Sequence, residues 1–248
     1  MKPGKTRRII AFDFDDTLAE TSSLIGVRFD KPGHNFEDFL FDRNIHFVEH
    51  GDDFWWLDSA NYALLEDSAP PEGYGFEFDY AHTMRVDLAT LKEIKPMLSK
   101  MREALADPEA LTLVVTARSG YSTVYSPSLG REVKSTNREQ IMDFLGEQGL
   151  SIPFSNLHTV GDTKGDTAKA KANVLAGYLE KFGPEELIFY DDSIRNVREV
   201  AQLCKVASPH VKISAYRVAN GQPGARQGCN HKKGLKERIR EILSCMTE

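Results

Sequence analysis

Short apolar runs rich in β-branched residues alternate along the chain with segments of helical periodicity, the pattern of parallel strands joined by crossover helices. Apolar stretches at residues 8–13, 111–117 ("LTLVVTA"), 157–160 and 187–191 ("LIFYD") predict strands, and two weaker ones fall at 204–207 and 213–218. Helices fit residues 96–106, 136–147, 167–182, 194–203 and 233–245. Pro96 suits a first helical turn, Asp107-Pro108 an exit, and Thr136 or Asn137 an N-cap. The fold class predicted is α/β, a Rossmann-like parallel sheet with helices on both faces. Ligands of such sheets bind at the carboxyl ends of the strands, so chemistry is sought in the residues that end each apolar run.

About 90 residues separate the first two strands, too many for one crossover helix and improbable as a structureless loop. The aromatic stretch "DDFWWLDSANYALLED" within them predicts an inserted cap over residues 20–95 with a small core of its own, leaving 1–19 and 96–248 as the main domain. Trp55 and Trp56 read as packing residues before base-stacking ones, because burial is the commonest use of large aromatics. The insertion holds 16 acidic and 6 basic residues and 13 of the 24 aromatics, whereas residues 205–240 hold nine basic residues and one acid, Glu237. That basic block is either a solvated face or a surface that tracks phosphates.

The net charge of −6, with 41% hydrophobic and 27% charged residues, is that of an ordinary soluble protein. No run of about 18 apolar residues suggests a membrane span, and "MKPGKTRR" leads into no apolar segment of signal-peptide length. The expected location is therefore cytoplasmic. Cys204, Cys229 and Cys245 lack the spacing of a disulfide framework, and Cys229 with His231 offers only two ligands of a zinc site.

The stretch "RRIIAFDFDDTLAE", residues 7–20, ends its apolar run in Asp13, Asp15 and Asp16. Carboxylates so close repel one another, and a strand tip gains nothing by holding them, so a positive or proton-sharing group belongs there. Asp13, Asp15 and Thr17 form the pattern DxDxT. Phosphoryl transfer needs a nucleophile, a proton donor nearby and a cation that quiets the carboxylates, and this spacing suits all three.

"FDFDDTLAE" resembles the first motif of the haloacid dehalogenase (HAD) superfamily. The resemblance implies a Rossmann-like core with an inserted cap and a Mg²⁺-dependent phosphatase that works through an aspartyl-phosphate. It makes Asp13 the nucleophile and Asp15 the acid and base, the second aspartate marking the phosphatase branch. It also implies that Thr116, ending "LVVT", holds phosphoryl oxygens, and that a lysine before the acidic strand neutralises the nucleophile. Lys171 in "GDTKGDTAKAKANVL" is the first choice and Lys169 the second. The metal ligands implied are Asp13, Asp15 through its main-chain carbonyl, and Asp192, with Asp191 beside them. Asn196 departs from relatives that place another aspartate there. A rival alignment takes "GDTKGD" as the acidic motif, with Asp162 and Asp166 as ligands and Lys134 as the lysine, but leaves Asp191 and Asp192 without a task.

"VVTARSG", "GDTKGDTAKAK", "YDDSIRNV" and "ISAYRVANG" together resemble the 3′-phosphatase domain of phage-type polynucleotide kinase-phosphatase. That similarity implies that Arg118 contacts the substrate phosphate or its neighbour and that Asp166 supports the lysine or a substrate-binding arginine; Thr17 and Lys169 complete the substrate-binding candidates. No G-x-x-x-x-G-K-[ST] pattern occurs, so a kinase or ligase step would belong to a separate partner. The substrate implied is a nucleic-acid 3′-phosphate end or a nucleotide. Arg118, Arg131, Lys134 and the basic C-terminal block could serve such an end, although the acidic insertion suits a long strand poorly. The alternatives are a small-molecule nucleotide or sugar phosphatase without nucleic-acid contact, and a catalytically idle binding module on the same fold.

Overall fold

The computed structural model describes residues 6–229 apart from 52, 67, 164, 208 and 209. The expected helix at 233–245, Cys245, His231 and five of the nine basic residues of the C-terminal block lie outside the described residues. The chain divides into two compact units, one of residues 1–20, 93–117 and 145–248, the other of residues 21–92 and 118–144.

A six-stranded sheet forms the centre of the first unit, in the order Leu157–Thr159, Ala110–Thr116, Arg8–Phe12, Glu186–Asp191, Lys212–Ala219, Gln222–Gln227. Its first five strands are parallel and the last is antiparallel. The unit is thus mixed α/β with a mostly parallel sheet, consistent with a Rossmann-like fold. Ile9 and Ala11 alternate with Ile10 and Phe12 across the pleat. The Ile9 face packs with Leu113, Val115, Phe189 and Ile213 against Ala172 and Leu175 of the helix Thr167–Phe182 and Val197 and Val200 of the helix Ile194–Ala201. On the strands Phe12, Tyr190 and Tyr216 stack in a row, with centroids 5.1 and 5.3 Å apart.

Helix termini follow local chemistry. Pro96 stands in the first turn of Lys95–Ala106. Asp166 caps the helix Thr167–Phe182, which ends at Gly183 in the left-handed conformation. Residues 204–207 are not the expected strand, because the helix Ile194–Ala201 runs on into a 3₁₀ turn at Gln202–Lys205. The last strand was not anticipated, since "QPGARQ" is polar and carries Pro and Gly. It is an edge strand, where proline is tolerated, and Asn220-Gly221, both at positive φ, joins it to its neighbour. That dipeptide is a strong hairpin signal.

The sequence pattern treats the cysteines as unpaired, whereas Cys204 and Cys229 form a disulfide with a Cα–Cα distance of 5.8 Å. A spacing of 25 residues gives no local hint; the sheet brings them together by returning the chain through its two last strands.

The second unit holds a four-stranded antiparallel sheet, Glu49–Gly51, Phe54–Leu57, Ile25–Phe29, Phe76–Asp79. Phe29, Phe36, Phe39, Leu40, Leu57 and Leu65 form its core. Trp56 is buried and stacks on His82, and Trp55 stacks on His50, so both serve packing. The pattern along the chain leaves residues 118–144 in the main domain, but they join this unit instead, as a hairpin of Thr123–Ser126 and Arg131–Lys134 and most of the helix Asn137–Glu147. Among the described residues no helix is long and apolar enough to cross a membrane.

Candidate active site

The first strand carries Asp13 to the carboxyl end of the sheet. The Asp13 N–H donates to the Tyr190 carbonyl at 2.8 Å, extending the parallel ladder by one residue and setting Asp13 beside the tip that bears Asp191 and Asp192. The chain then turns sharply: the Phe14 carbonyl accepts from the N–H groups of Thr17, Leu18 and Ala19, and Asp16 takes a φ of 52°. Aspartate tolerates that left-handed conformation better than most residues.

Lys171, on the helix Thr167–Phe182, is 1% exposed, and its Nζ donates to Asp13 Oδ1 at 2.7 Å and to Asp191 Oδ2 at 2.8 Å. Asp191 also accepts from the Ser193 N–H at 2.9 Å and from Asn196 Nδ2 at 2.9 and 3.1 Å. Carboxylate oxygens of Asp13, Asp191 and Asp192 lie within 4.8 Å of one another. Thr116, fully buried at its strand end, donates its hydroxyl to Asp15 Oδ2 at 3.3 Å. The Thr17 hydroxyl is buried without a hydrogen-bond partner.

Two of the three clustered carboxylates, those of Asp13 and Asp191, pair with one ammonium. Burial pushes the Asp13 carboxyl well above the ordinary carboxylate range; Lys171 opposes this, and Asp191 and Asp192 add to it. Asp192 is pushed up to about 7, first by burial and then by Asp191, against the pull of Lys171. Burial alone would lower the Lys171 ammonium, but the charges of Asp13 and Asp191 and their hydrogen bonds hold it above its ordinary value. Lys171 is therefore charged, and the surplus negative charge must be met by a proton or a cation. Three clustered carboxylate oxygens fit a hard divalent ion such as Mg²⁺, which prefers oxygen ligands.

Helical geometry separates the two candidate lysines. Residues 169 and 171 differ by about 200° around a helix axis, so Lys169 is exposed while Lys171 points inward. Asp166 does not join the carboxylate cluster. It caps its helix by accepting from the Ala168 and Lys169 N–H groups and pairs with Arg195 at 3.0 Å. The rival alignment thus finds Asp166 occupied elsewhere and Asp162 exposed.

Arg118 belongs to the second unit. Its guanidinium is 6% exposed and donates to the Thr83 and Arg85 carbonyls, to Asn137 Oδ1 and to Ser23 Oγ. This geometry gives Arg118 the task of tying the hairpin's base, in place of the phosphate contact its position after Thr116 suggests.

Two positioning groups went unassigned in the sequence pattern. Asn196 donates to both oxygens of Asp191 from a position one turn into the helix that follows. Arg217 donates to the Asp192 main-chain carbonyl at 3.1 Å. It reaches that point only because sheet register sets it beside Asp191, and sequence carries no mark of that.

Comparison with known proteins finds no matching family model and no matching curated protein.

Proposed function

We propose that this chain is a Mg²⁺-dependent phosphomonoester hydrolase of the HAD type that works through an aspartyl-phosphate on Asp13. The observation that carries the reading is the Asp13 carboxylate at a strand tip, 2.7 Å from a buried lysine and clustered with Asp191 and Asp192. Asp13, Asp191, Asp192 and the Asp15 main-chain carbonyl would hold Mg²⁺, which when bound polarises a phosphoryl oxygen and offsets the carboxylate charge.

Lys171 engages Asp13 through Oδ1, leaving Oδ2 outside that ion pair. In-line attack by Asp13 on phosphorus forms the aspartyl-phosphate and breaks the bond to the alcohol oxygen. Asp15 gives that oxygen its proton and then takes one from the water that hydrolyses the intermediate. The Thr116 hydroxyl, 3.3 Å from Asp15, orients that carboxyl in the resting site. Once substrate binds, Thr116 and Lys171 would hold phosphoryl oxygens where negative charge shifts during transfer.

The substrate we propose is a nucleic-acid 3′-phosphate end or a nucleotide, and the inserted second unit is read as the family's cap. The test measures phosphate release with Mg²⁺ and with EDTA from a 3′-phosphorylated oligonucleotide, a 3′-nucleotide, a 5′-nucleotide and an aryl phosphate. Asp13→Asn serves as the blank. Mg²⁺-dependent release that Asp13→Asn abolishes is expected, with the oligonucleotide preferred. Release that persists in Asp13→Asn refutes the nucleophile, and silence on all four substrates points to an idle binding module.

A further inference from the structure

We infer that the Cys204–Cys229 disulfide is a redox switch on the acidic tip of the proposed active site: a dithiol that opens it frees the strand Gln222–Gln227 and with it the hold of Arg217 on Asp192. The inference rests on the proposed Mg²⁺ site, whose regulation it describes.

The bond joins two elements of unequal anchorage. Cys204 lies in the 3₁₀ turn that continues the helix Ile194–Ala201; Val197 and Val200 of that helix are fully buried, and Leu203 of the turn nearly so. Cys229 follows the edge strand Gln222–Gln227, which buries no residue. That strand pairs with a single neighbour, and Pro223 gives it no N–H for the ladder. Beyond it Gly228, at a φ of 122°, passes so close to Ile213 that a Cβ would collide with the Ile213 carbonyl oxygen. The Cys229 carbonyl accepts there from the Ile213 N–H at 3.2 Å and from Arg226 at 2.6 Å. A segment with few buried apolar contacts opens at low cost, so the bond to the anchored helix keeps this strand seated.

The strand in turn shapes Arg217. Tyr216 pairs with Arg226 and Val218 with Pro223, so Gly224 and Ala225 together face Arg217 as a bulge. A Cβ on Gly224 would stand 3.1 Å from the Arg217 carbonyl oxygen. Bulges raise local twist and re-aim side chains, and here Arg217, itself exposed, sends Nε to the Asp192 carbonyl at 3.1 Å. An exposed arginine keeps such a contact only while its backbone is fixed, because ordering its many rotamers costs entropy. Asp192 is one of the three clustered carboxylates that would hold Mg²⁺. Asp191 is gripped from the anchored helix, by the Ser193 N–H and Asn196, and keeps its place when the bond opens.

Neither cysteine is fully buried, which leaves the pair open to exchange. A thiolate of the dithiol attacks one sulfur, breaks the S–S bond and releases the other cysteine as a thiolate, which takes a proton. The second thiol of the reductant then displaces the first cysteine. Two protein thiols result, and the dithiol leaves as its own disulfide.

The test uses the full chain bearing Cys245→Ser, so that Cys204 and Cys229 are its only cysteines, oxidised or in dithiothreitol. On reduction, hydrogen exchange should speed about tenfold or more at Gln222–Gln227 while the helix Ile194–Ala201 keeps its protection. Mg²⁺ affinity by calorimetry should fall about tenfold, the low end of what losing an outer contact to a metal ligand costs, and return on reoxidation with oxidised glutathione. Arg217→Gln should show the weaker affinity in both states. Cys204→Ser with Cys229→Ser should match the reduced chain and ignore dithiothreitol. Unchanged exchange at Gln222–Gln227, a redox response that persists in Arg217→Gln, or loss of protection across the whole sheet would each overturn the inference. Mg²⁺ binding that ignores the redox state overturns the switch and leaves the proposed reaction standing. An oxidised chain that binds no Mg²⁺ refutes the metal centre itself, and the switch with it.

Discussion

Removing the Lys171 ammonium tests the electrostatic logic of the site without relying on its substrate. Lys171→Met keeps most of the side chain's volume and apolar stem, so the loss is mainly the charge that faces Asp13 and Asp191 at 2.7 and 2.8 Å. Breaking a buried ion pair by deleting one partner leaves uncompensated charge and costs about 3–5 kcal/mol. For a chain of this size that corresponds to a fall in Tm of roughly 6–20 °C. The fall should be greatest near pH 8 without divalent ions, because all three carboxylates are then driven to ionise. Near pH 5 it should shrink as protons replace the missing cation, and millimolar Mg²⁺ should restore part of it at pH 8. Thermal and urea denaturation under those conditions measure each effect, with phosphatase activity lost throughout. A variant as stable as wild type at pH 8 without Mg²⁺ would refute the picture of a carboxylate cluster held by one ammonium.

Asp15→Asn should slow turnover on the order of 10²-fold or more while leaving stability near wild type, because only proton transfer is lost; steady-state kinetics and a melting curve check both. Asp192 has a folded-state value of about 7 against an ordinary 3.8, so the metal-free protein keeps a proton there that the unfolded chain releases. That contribution is fully present below pH 4 and disappears as pH rises through about 7, on the order of 4 kcal/mol, and urea titrations at pH 5 and 8 in EDTA should show the decline. Mg²⁺ must displace the same proton, so its affinity by calorimetry should fall about tenfold per pH unit below 7. Cys204→Ser, or reduction of the wild type, should lower stability by about 3–4 kcal/mol, the closure entropy of a loop of 25 residues; equal unfolding midpoints with and without reductant would contradict this.

Much of the molecule is legible along the chain because it depends on local pattern. The strands ending at Phe12, Thr116 and Asp191 are nearly continuous apolar runs, as central parallel strands are, and the carboxyl ends of the first and last mark where Asp13, Asp191 and Asp192 meet. The helix Thr167–Phe182 is announced by its Asp166 cap, and helical phase makes Lys169 and Lys171 distinct. Other features depend on which segments become neighbours. The Cys204–Cys229 bond and the Arg217 contact exist only through strand order and register. Arg118 stands two residues after Thr116 in sequence, yet the chain leaves the first unit between them, and the guanidinium donates to carbonyls of residues 83 and 85. Composition alone marks the stretch from Ser119 to Lys134 as a polar loop. Tertiary structure makes it a hairpin with two exposed rings, because the carboxylate that anchors it, Asp79, lies 47 residues from Ser126 and no local signal links the two.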